Sequence, residues 1–130
     1  MRYQDQLYGI PLAFKCLALF RNTELASEAP LYTDDIFSLA EHLDDDIIPL
    51  AYAATEAYYH MPWLHGFGGG LFDEENQANL NDAGNIASLL FLERLEKEGL
   101  IPKEPTSALV SQLFNQSRAA FVIDGPWFLS

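Results

Sequence analysis

The side chains best suited to chemistry are a few carboxylates and aromatic rings that follow two apolar runs far apart in the chain. Each run is short and ends at a turn, so each predicts a strand whose carboxyl end lies at these side chains. The side chains are Glu56, Tyr58, Tyr59, Asp124 and Trp127. In open α/β sheets, ligands bind outside the carboxyl ends of the strands. We therefore expect these residues to meet at one edge of a sheet.

Three interpretations of this group are open. Aromatic faces together with a charged acceptor suit a sugar, which offers flat C–H faces and a rim of hydroxyls. Glu56 and Asp124 could instead act as general acid and base, as paired carboxylates do in glycosidases. In the plainest interpretation, Trp127 packs only on its own turn and Glu56 is a helix N-terminal charge that contributes about 0.3 to 1 kcal/mol.

Metal and cofactor chemistry has little support in the sequence. His42, His60 and His65 lack metal-ligand spacing, and the three aspartates at 44–46 lack the glycine and closing glutamate of a calcium loop. The glycine-rich stretch 66–70 lacks the Lys-Ser/Thr pair of a phosphate loop, so we interpret it as a helix end followed by a turn. We therefore predict no metal site and no cofactor.

Composition and charge narrow the class of protein. The chain has 130 residues, of which 49% are hydrophobic, so it has the size and apolar content of one folded domain. Its 7 Lys and Arg against 19 Asp and Glu give a formal net charge of −12. This charge would repel phosphate backbones and anionic headgroups, so nucleic-acid and membrane-surface binding are not expected. No apolar run of about 18 residues and no basic-then-apolar leader occurs, so neither a membrane span nor a signal peptide is expected within the sequence.

The apolar periodicity predicts a single α/β domain over residues 1–130. Extended segments are expected at 7–12, 16–20, 47–53 and 119–123, and helices at 34–43, 55–66, 82–98 and 106–116. The first two extended segments are predicted to be adjacent buried strands, with Cys16 as a small core residue. The buried face of the helix at 82–98, which Asn81 is expected to cap, is predicted to consist of Ala83, Ile86, Ala87, Leu90 and Phe91.

Several motifs occur in an order that resembles one known family. They are Tyr8-Gly9-Ile10-Pro11; Phe20-Arg21-Asn22 at a strand end; Thr33-Asp34-Asp35-Ile36; Glu56-Ala57-Tyr58-Tyr59 with Pro62; the Gly68-Gly69-Gly70 turn; the helix at 82–98; and Phe121-Val122-Ile123-Asp124-Gly125-Pro126-Trp127. In this order and spacing they resemble the extracellular solute-binding proteins of sugar ABC importers, most closely the maltose/maltodextrin-binding proteins. The resemblance covers nearly all of this chain but only about the middle third of such a receptor.

The resemblance implies a fold and a set of ligand-binding residues. In that family two α/β lobes close like a hinge around a sugar. This chain is similar to an incomplete second lobe of the periplasmic-binding-protein type, a small sheet flanked by helices. The resemblance implies that Glu56 accepts hydrogen bonds from sugar hydroxyls, that Tyr58 and Tyr59 cover sugar rings, and that Trp127 stacks on the sugar. Lys15 is also placed in the binding site, where those proteins usually have an acidic contact, and Ser107 stands about where they often have another aromatic. These two departures imply a site with fewer contacts to the sugar and a different preference among sugars.

We therefore expect the chain to bind a carbohydrate of the maltose or maltodextrin class, as the solute-binding component or domain of an ABC importer, and not to be an enzyme. A non-binding docking module of the same fold is the alternative, and a glycoside-acting enzyme is less favoured. The implied partners are the oligosaccharide, the permease subunits and the receptor's first lobe, on the periplasmic or extracellular side of the membrane. Because the family completes this lobe with helices from later in the chain, an uncovered apolar face and a homodimer through it are also expected.

Overall fold

The computed structural model describes residues 2–129, so Met1 and Ser130 of the predicted domain lie outside the described residues. Strands and helices are mixed along this part of the chain, which confirms the predicted α/β class with a small sheet flanked by helices. The elements are β1 (Arg2–Tyr3), β2 (Gln6–Leu7), β3 (Ala18–Arg21), α1 (Asp34–Ala40), β4 (Ile48–Ala51), α2 (Ala57–Gly66), α3 (Ala83–Lys97), α4 (Ser107–Asn115), β5 (Ala119–Asp124) and a 3-10 helix (Pro126–Leu129).

The core is organised around β5, the central strand of a three-stranded sheet with the order β3-β5-β4. β3 runs antiparallel to β5, and β4 runs parallel to it. All of β5 is buried because it has a neighbouring strand on each edge and two apolar clusters enclose it. In one cluster α1 and α3 contribute Phe37 and Leu95, and in the other α4 contributes Val110 and Leu113.

Most elements lie within a few residues of their predicted bounds, because their signals are local. Thr106 caps α4 through its Oγ1, which accepts the N–H of Leu109 at 3.2 Å. Asp82 rather than Asn81 caps α3, with its Oδ1 accepting the N–H of Gly84 at 2.7 Å. Pro49 lies in β4, an edge strand, where its missing N–H disturbs no second ladder.

The segment before α1 differs from the prediction of two adjacent buried strands, which is wrong. β1 and β2 form a separate hairpin in which each strand has two residues. In the described chain β3 pairs only with β5. No strand is present at 8–17 in the described chain, and Leu12 and Phe14 are 98% and 90% exposed. An apolar run indicates that a segment should be buried against other parts of the protein. It forms a strand only where a neighbouring strand can pair with its backbone hydrogen-bonding groups. Here both edges of β5 are taken by β3 and β4.

Cys16 is also placed differently from the prediction of a small core residue, which is wrong. Its thiol is free and exposed, in the irregular segment before β3. Burial of a cysteine requires an element packed over it, and Cys16 instead borders an open depression beside α2. The apolar character of its neighbours was therefore a poor guide to its environment.

The buried face of α3 is rotated from the predicted one. Phe91 is buried as expected, but Ile86 and Leu90 are exposed. The residues that face the core are Gly84, Asn85, Ser88, Phe91 and Leu95. Ranking positions by hydrophobicity therefore selected the wrong side of this helix.

The physical reason is the close approach of α3 to the turn after α2. A Cβ on Gly84 would overlap the backbone nitrogen of Gly69 and would lie 2.7 Å from the carbonyl oxygen of Phe67. Asn85 donates from Nδ2 to the carbonyl oxygens of Gly70 at 2.9 Å and Asn79 at 2.7 Å. Small and amide side chains are needed here because a larger apolar one would keep the backbones apart.

We expect Gly84→Ala to lower the unfolding free energy by about 1 to 3 kcal/mol, because the added methyl meets backbone that cannot move aside. Gly66→Ala is the matched control, since a Cβ there meets no atom within 4 Å and its φ is not positive. That substitution should be neutral or stabilising, because alanine favours a helix over glycine. Urea unfolding of both variants measures the difference. Equal stability of the two would show that the close approach is not tight in solution.

The described fold leaves an unusually large surface. The accessible area of the chain is 9053 Å², against about 6,900 Å² for a compact monomer of this mass. Large apolar side chains contribute to the excess, among them Tyr8, Ile10, Leu12, Phe14, Leu31, Tyr32, Leu89 and Leu90. The excess is larger than the roughly 800 Å² that each partner buries in a standard protein interface.

We expect the isolated chain to self-associate at micromolar concentration or to bind dyes that report exposed apolar surface, because this area is costly to leave in water. Sedimentation velocity over a hundredfold concentration range, with dye fluorescence on the same samples, tests both outcomes. A monomer at every concentration that binds no dye would contradict the expectation.

Candidate functional site

The parallel pairing of β4 and β5 places their carboxyl ends at one edge of the sheet. Ala51, the last residue of β4, is paired with Val122, two residues before the end of β5. The chain leaves β4 towards α2, which carries Tyr58 and Tyr59, and it leaves β5 towards the turn that carries Trp127. Side chains about 65 residues apart in sequence therefore come together, as for the hydroxyl of Tyr59 and the carboxylate of Asp124.

Two exposed aromatic rings form the outer surface of this edge. The ring centroids of Tyr58 and Trp127 are 6.5 Å apart with an interplanar angle of 33°. Tyr58 is 47% exposed and Trp127 is 39% exposed, so both rings are accessible from solvent. The indole is held from behind, because a Cβ on Gly125 would overlap its six-membered ring. Glycine at 125 therefore lets the indole lie against the backbone of the turn.

Tyr59 and Asp124 lie beneath this surface rather than on it. Tyr59 is 7% exposed, packs edge-on against Tyr58 at 5.5 Å between centroids, and donates from its hydroxyl to Asp124 Oδ1 at 3.5 Å. The same Oδ1 accepts the N–H of Gly125 at 2.7 Å, and Asp124 is 3% exposed. The predicted ring face of Tyr59 is thus covered in this structure. The Asp124 carboxylate fixes the turn, which leaves it poorly placed for the acid–base role that the paired carboxylates suggested.

Glu56 occupies the N-cap position of α2 but does not cap the helix with its side chain. Its backbone carbonyl accepts the N–H groups of Tyr59 at 3.0 Å and His60 at 3.3 Å. Its carboxylate is exposed and makes no cap hydrogen bond. Within residues 2–129 this carboxylate has no hydrogen-bond or ion-pair partner, so its oxygens are available to a ligand donor.

Lys15 comes to the same edge from the irregular segment before β3. Its Nζ lies 5.1 Å from the centroid of the Trp127 ring, within the range of a cation–π contact. A shallow depression of about 290 Å³ lies beside this contact, bordered by Lys15, Tyr58, Met61 and His65. No periodic signal could have revealed that Lys15 contacts Trp127, because the segment that carries it is irregular.

A larger groove of about 560 Å³ adjoins this depression, with which it shares Leu17 and Pro62, and lies between β3, the loop before α1 and the end of α2. Its walls include Leu19, Leu31, Trp63 and Phe67, and none of its described lining residues is a carboxylate, lysine, arginine or histidine. A sugar would find apolar surface there but no charged acceptor for its hydroxyls. We assign this groove to the uncovered apolar surface of the fold.

Two further findings concern the part of the chain that the structure describes. No cluster of three or more His, Cys, Asp or Glu side chains within it is arranged to hold a metal ion. None of its helices combines the length and apolar character needed to cross a bilayer.

Relatives of the chain are oligosaccharide-binding proteins of ABC transporters. The chain is 24% identical over 137 residues to the galactooligosaccharide-binding protein of Bacillus subtilis and 26% identical over 138 residues to the maltodextrin-binding protein MdxE of the same organism. It is 27% identical over 136 residues to a maltooligosaccharide ABC transporter solute-binding lipoprotein of Streptococcus pneumoniae. These matches cover 94% or 95% of this chain but only 32% or 33% of each relative. The chain thus spans about a third of the length of the curated relatives it matches.

These relatives confirm the resemblance drawn from the motifs. The chain is similar to a segment of sugar-binding solute-binding proteins, and its mixed α/β architecture agrees with the lobe expected from that family. No family model matches the chain. The relatives are binding proteins rather than enzymes, in keeping with the sequence prediction.

The helix that carries Tyr58 is anchored to α3 by a buried histidine. His60 is buried, and its Nε2 lies 3.2 Å from Ser88 Oγ, which donates to the carbonyl oxygen of Asn85 at 2.8 Å. Ser88 therefore accepts from His60, which places the imidazole proton on Nε2. Its Nδ1 is buried without a partner among the described residues. Burial lowers the pKa of His60 below its usual value of 6.5, because a second proton on Nδ1 would have no acceptor.

We expect the unfolding free energy to be level above about pH 6.5 and to fall as the pH drops below that value. In that window the unfolded chain binds a proton that folded His60 resists, so acid favours unfolding. Urea midpoints at several pH values measure the slope. His60→Gln should flatten it, because this substitution removes the buried imidazole. An unaltered slope in His60→Gln would assign the pH dependence to other groups.

Proposed function

We propose that the chain binds an oligosaccharide at the edge of the sheet formed by Tyr58, Trp127 and Glu56, as part of the solute-binding component of an ABC importer. The observation that carries the proposal is the pair of exposed, slightly tilted rings of Tyr58 and Trp127, 6.5 Å apart. Aromatic faces of this kind stack on the C–H faces of sugar rings, and a carboxylate beside them accepts the hydroxyl protons.

The names of the relatives support the ligand class. One relative is named for galactooligosaccharides and others for maltodextrins or maltooligosaccharides. These ligands are all short chains of neutral hexoses, so an oligosaccharide is the common element. Among them we propose a maltodextrin-like ligand, because the motif order most closely resembles the maltose-binding proteins.

The same relatives support a place of action. One is named as a solute-binding lipoprotein of an ABC transporter, and we propose that this chain acts on the extracellular or periplasmic side of the membrane with permease subunits as partners. In a two-lobed receptor the sugar is enclosed from both sides, and the surface described here would form one wall. Binding to this wall alone should be weak, because the contacts of the opposite lobe and of closure are missing.

A glycoside-acting enzyme is not favoured by the geometry. Catalysis by two carboxylates needs both groups beside the scissile bond. Asp124 is buried and engaged by Tyr59 and Gly125, whereas Glu56 is exposed. Binding without turnover is therefore the better interpretation of the pair.

We expect maltotriose at millimolar concentration to shift the indole N–H signal of Trp127 in NMR spectra and to leave that of Trp63 nearly unchanged. Trp63 is an internal control because its Nε1 is buried and its ring packs against Phe91. Glu56→Gln should weaken binding about tenfold or more, since a charged hydrogen bond contributes roughly 1.5 to 3 kcal/mol. Its melting temperature should change little, because the carboxylate makes no cap hydrogen bond.

Glu104→Gln is the matched control for this titration, since Glu104 is an exposed carboxylate in the link between α3 and α4. It should bind maltotriose like the unmodified chain. Absence of any Trp127 shift, or a large loss of stability with unchanged affinity in Glu56→Gln, would count against the proposed site.

A further inference from the structure

The depression beside Trp127 is basic although the protein is strongly acidic. It has a volume of about 290 Å³, and two of its lining residues, Lys15 and His65, are basic. None of its described lining residues is acidic, in a chain with 19 Asp and Glu against 7 Lys and Arg. The wall also includes Tyr58, one of the two exposed rings. A cationic recess therefore adjoins the proposed sugar-stacking surface.

The Lys15 ammonium is held at the edge of this surface without an ion-pair partner in the described chain. Its Nζ lies over the Trp127 ring at 5.1 Å, and the salt bridges among the side chains of residues 3–129 involve Arg94, Lys97 and Arg118 instead. The ring attracts the ammonium through its quadrupole but supplies no acceptor atom for its N–H groups. These donors are therefore available to a ligand group.

We infer that this edge binds an oligosaccharide with one carboxylate-bearing ring, such as a uronate, more tightly than an uncharged maltodextrin, and that Lys15 pairs with the carboxylate. The inference rests on the proposed function and specifies the ligand class of that site. A sugar hydroxyl can accept a hydrogen bond from the ammonium, but it leaves the positive charge uncompensated. A carboxylate accepts the same hydrogen bond and also neutralises the charge at contact, so it is the ligand group that an unpaired ammonium at this edge favours.

The overall charge limits how acidic such a ligand can be. At a net charge of −12 the protein repels anions at long range, but salt screens this repulsion beyond about 10 Å, whereas contact with Lys15 is local. A chain of uronates would bring further carboxylates towards the acidic remainder of the surface. The geometry therefore favours an oligosaccharide with one charged ring among neutral ones.

The test compares ligands that differ only in charge. An aldobiouronic acid, a disaccharide with one glucuronate ring, is titrated against the full chain at low salt, followed by its neutral methyl ester and by maltotriose, with the Trp127 indole signal as the readout. The acid should bind roughly tenfold more tightly than its ester. Lys15→Met should abolish that difference between acid and ester. Lys103→Met, which removes an exposed lysine between α3 and α4, should preserve the difference.

The possible outcomes distinguish a failure of the inference from a failure of the proposed function. Equal binding of acid and ester, or a preference that survives in Lys15→Met, overturns the inference while sugar binding stands. No response to any of the three sugars overturns the inference together with the proposed function. Inorganic sulfate is the remaining arm: if it shifts the Trp127 signal as strongly as the acid at the same concentration, the recess binds anions in general and the uronate assignment is wrong.

Discussion

The parallel pairing of β4 with β5 is the constraint on which the rest of the structure depends. Parallel neighbours end at the same edge, so the chain that leaves each strand begins its next element in the same place. The first turn of α2 and the turn at Gly125 meet there for this reason, although nearly seventy residues separate them. The antiparallel β3 completes the sheet on the far side of β5, and the irregular segment that precedes it brings Lys15 to this edge.

The edge is shaped by a buried layer beneath it. Asp124 accepts hydrogen bonds from the backbone of Gly125 and from the hydroxyl of Tyr59, which couples the turn after β5 to the helix after β4. Tyr59 in turn packs edge-on against Tyr58, and Gly125 lets the indole of Trp127 lie against the turn. The exposed rings are therefore oriented by groups that a ligand would not touch.

Small residues have a similar role in placing α2. Gly84 and Ser88 let α3 approach the turn after α2 closely, and His60 and Asn85 satisfy polar groups in that contact. Ile86, Leu89 and Leu90 of α3 consequently face solvent, together with much of the segment before β3. The relatives are about three times longer than this chain, so they have further residues that could contact such an exposed surface.

The sequence alone determined the local elements and the resemblance to sugar-binding proteins. Helix caps such as Thr106, the helix end in the glycine-rich stretch 66–70 and the strand before Asp124 depend on neighbouring residues, so their signals could be interpreted without a structure. Motif order likewise pointed to the sugar-binding relatives. Only the tertiary structure decided the inward position of Tyr59, the exposure of Cys16, the rotated face of α3 and the contact of Lys15 with Trp127. Each of these depends on which distant backbone approaches a residue, and hydrophobic periodicity contains no information about that partner.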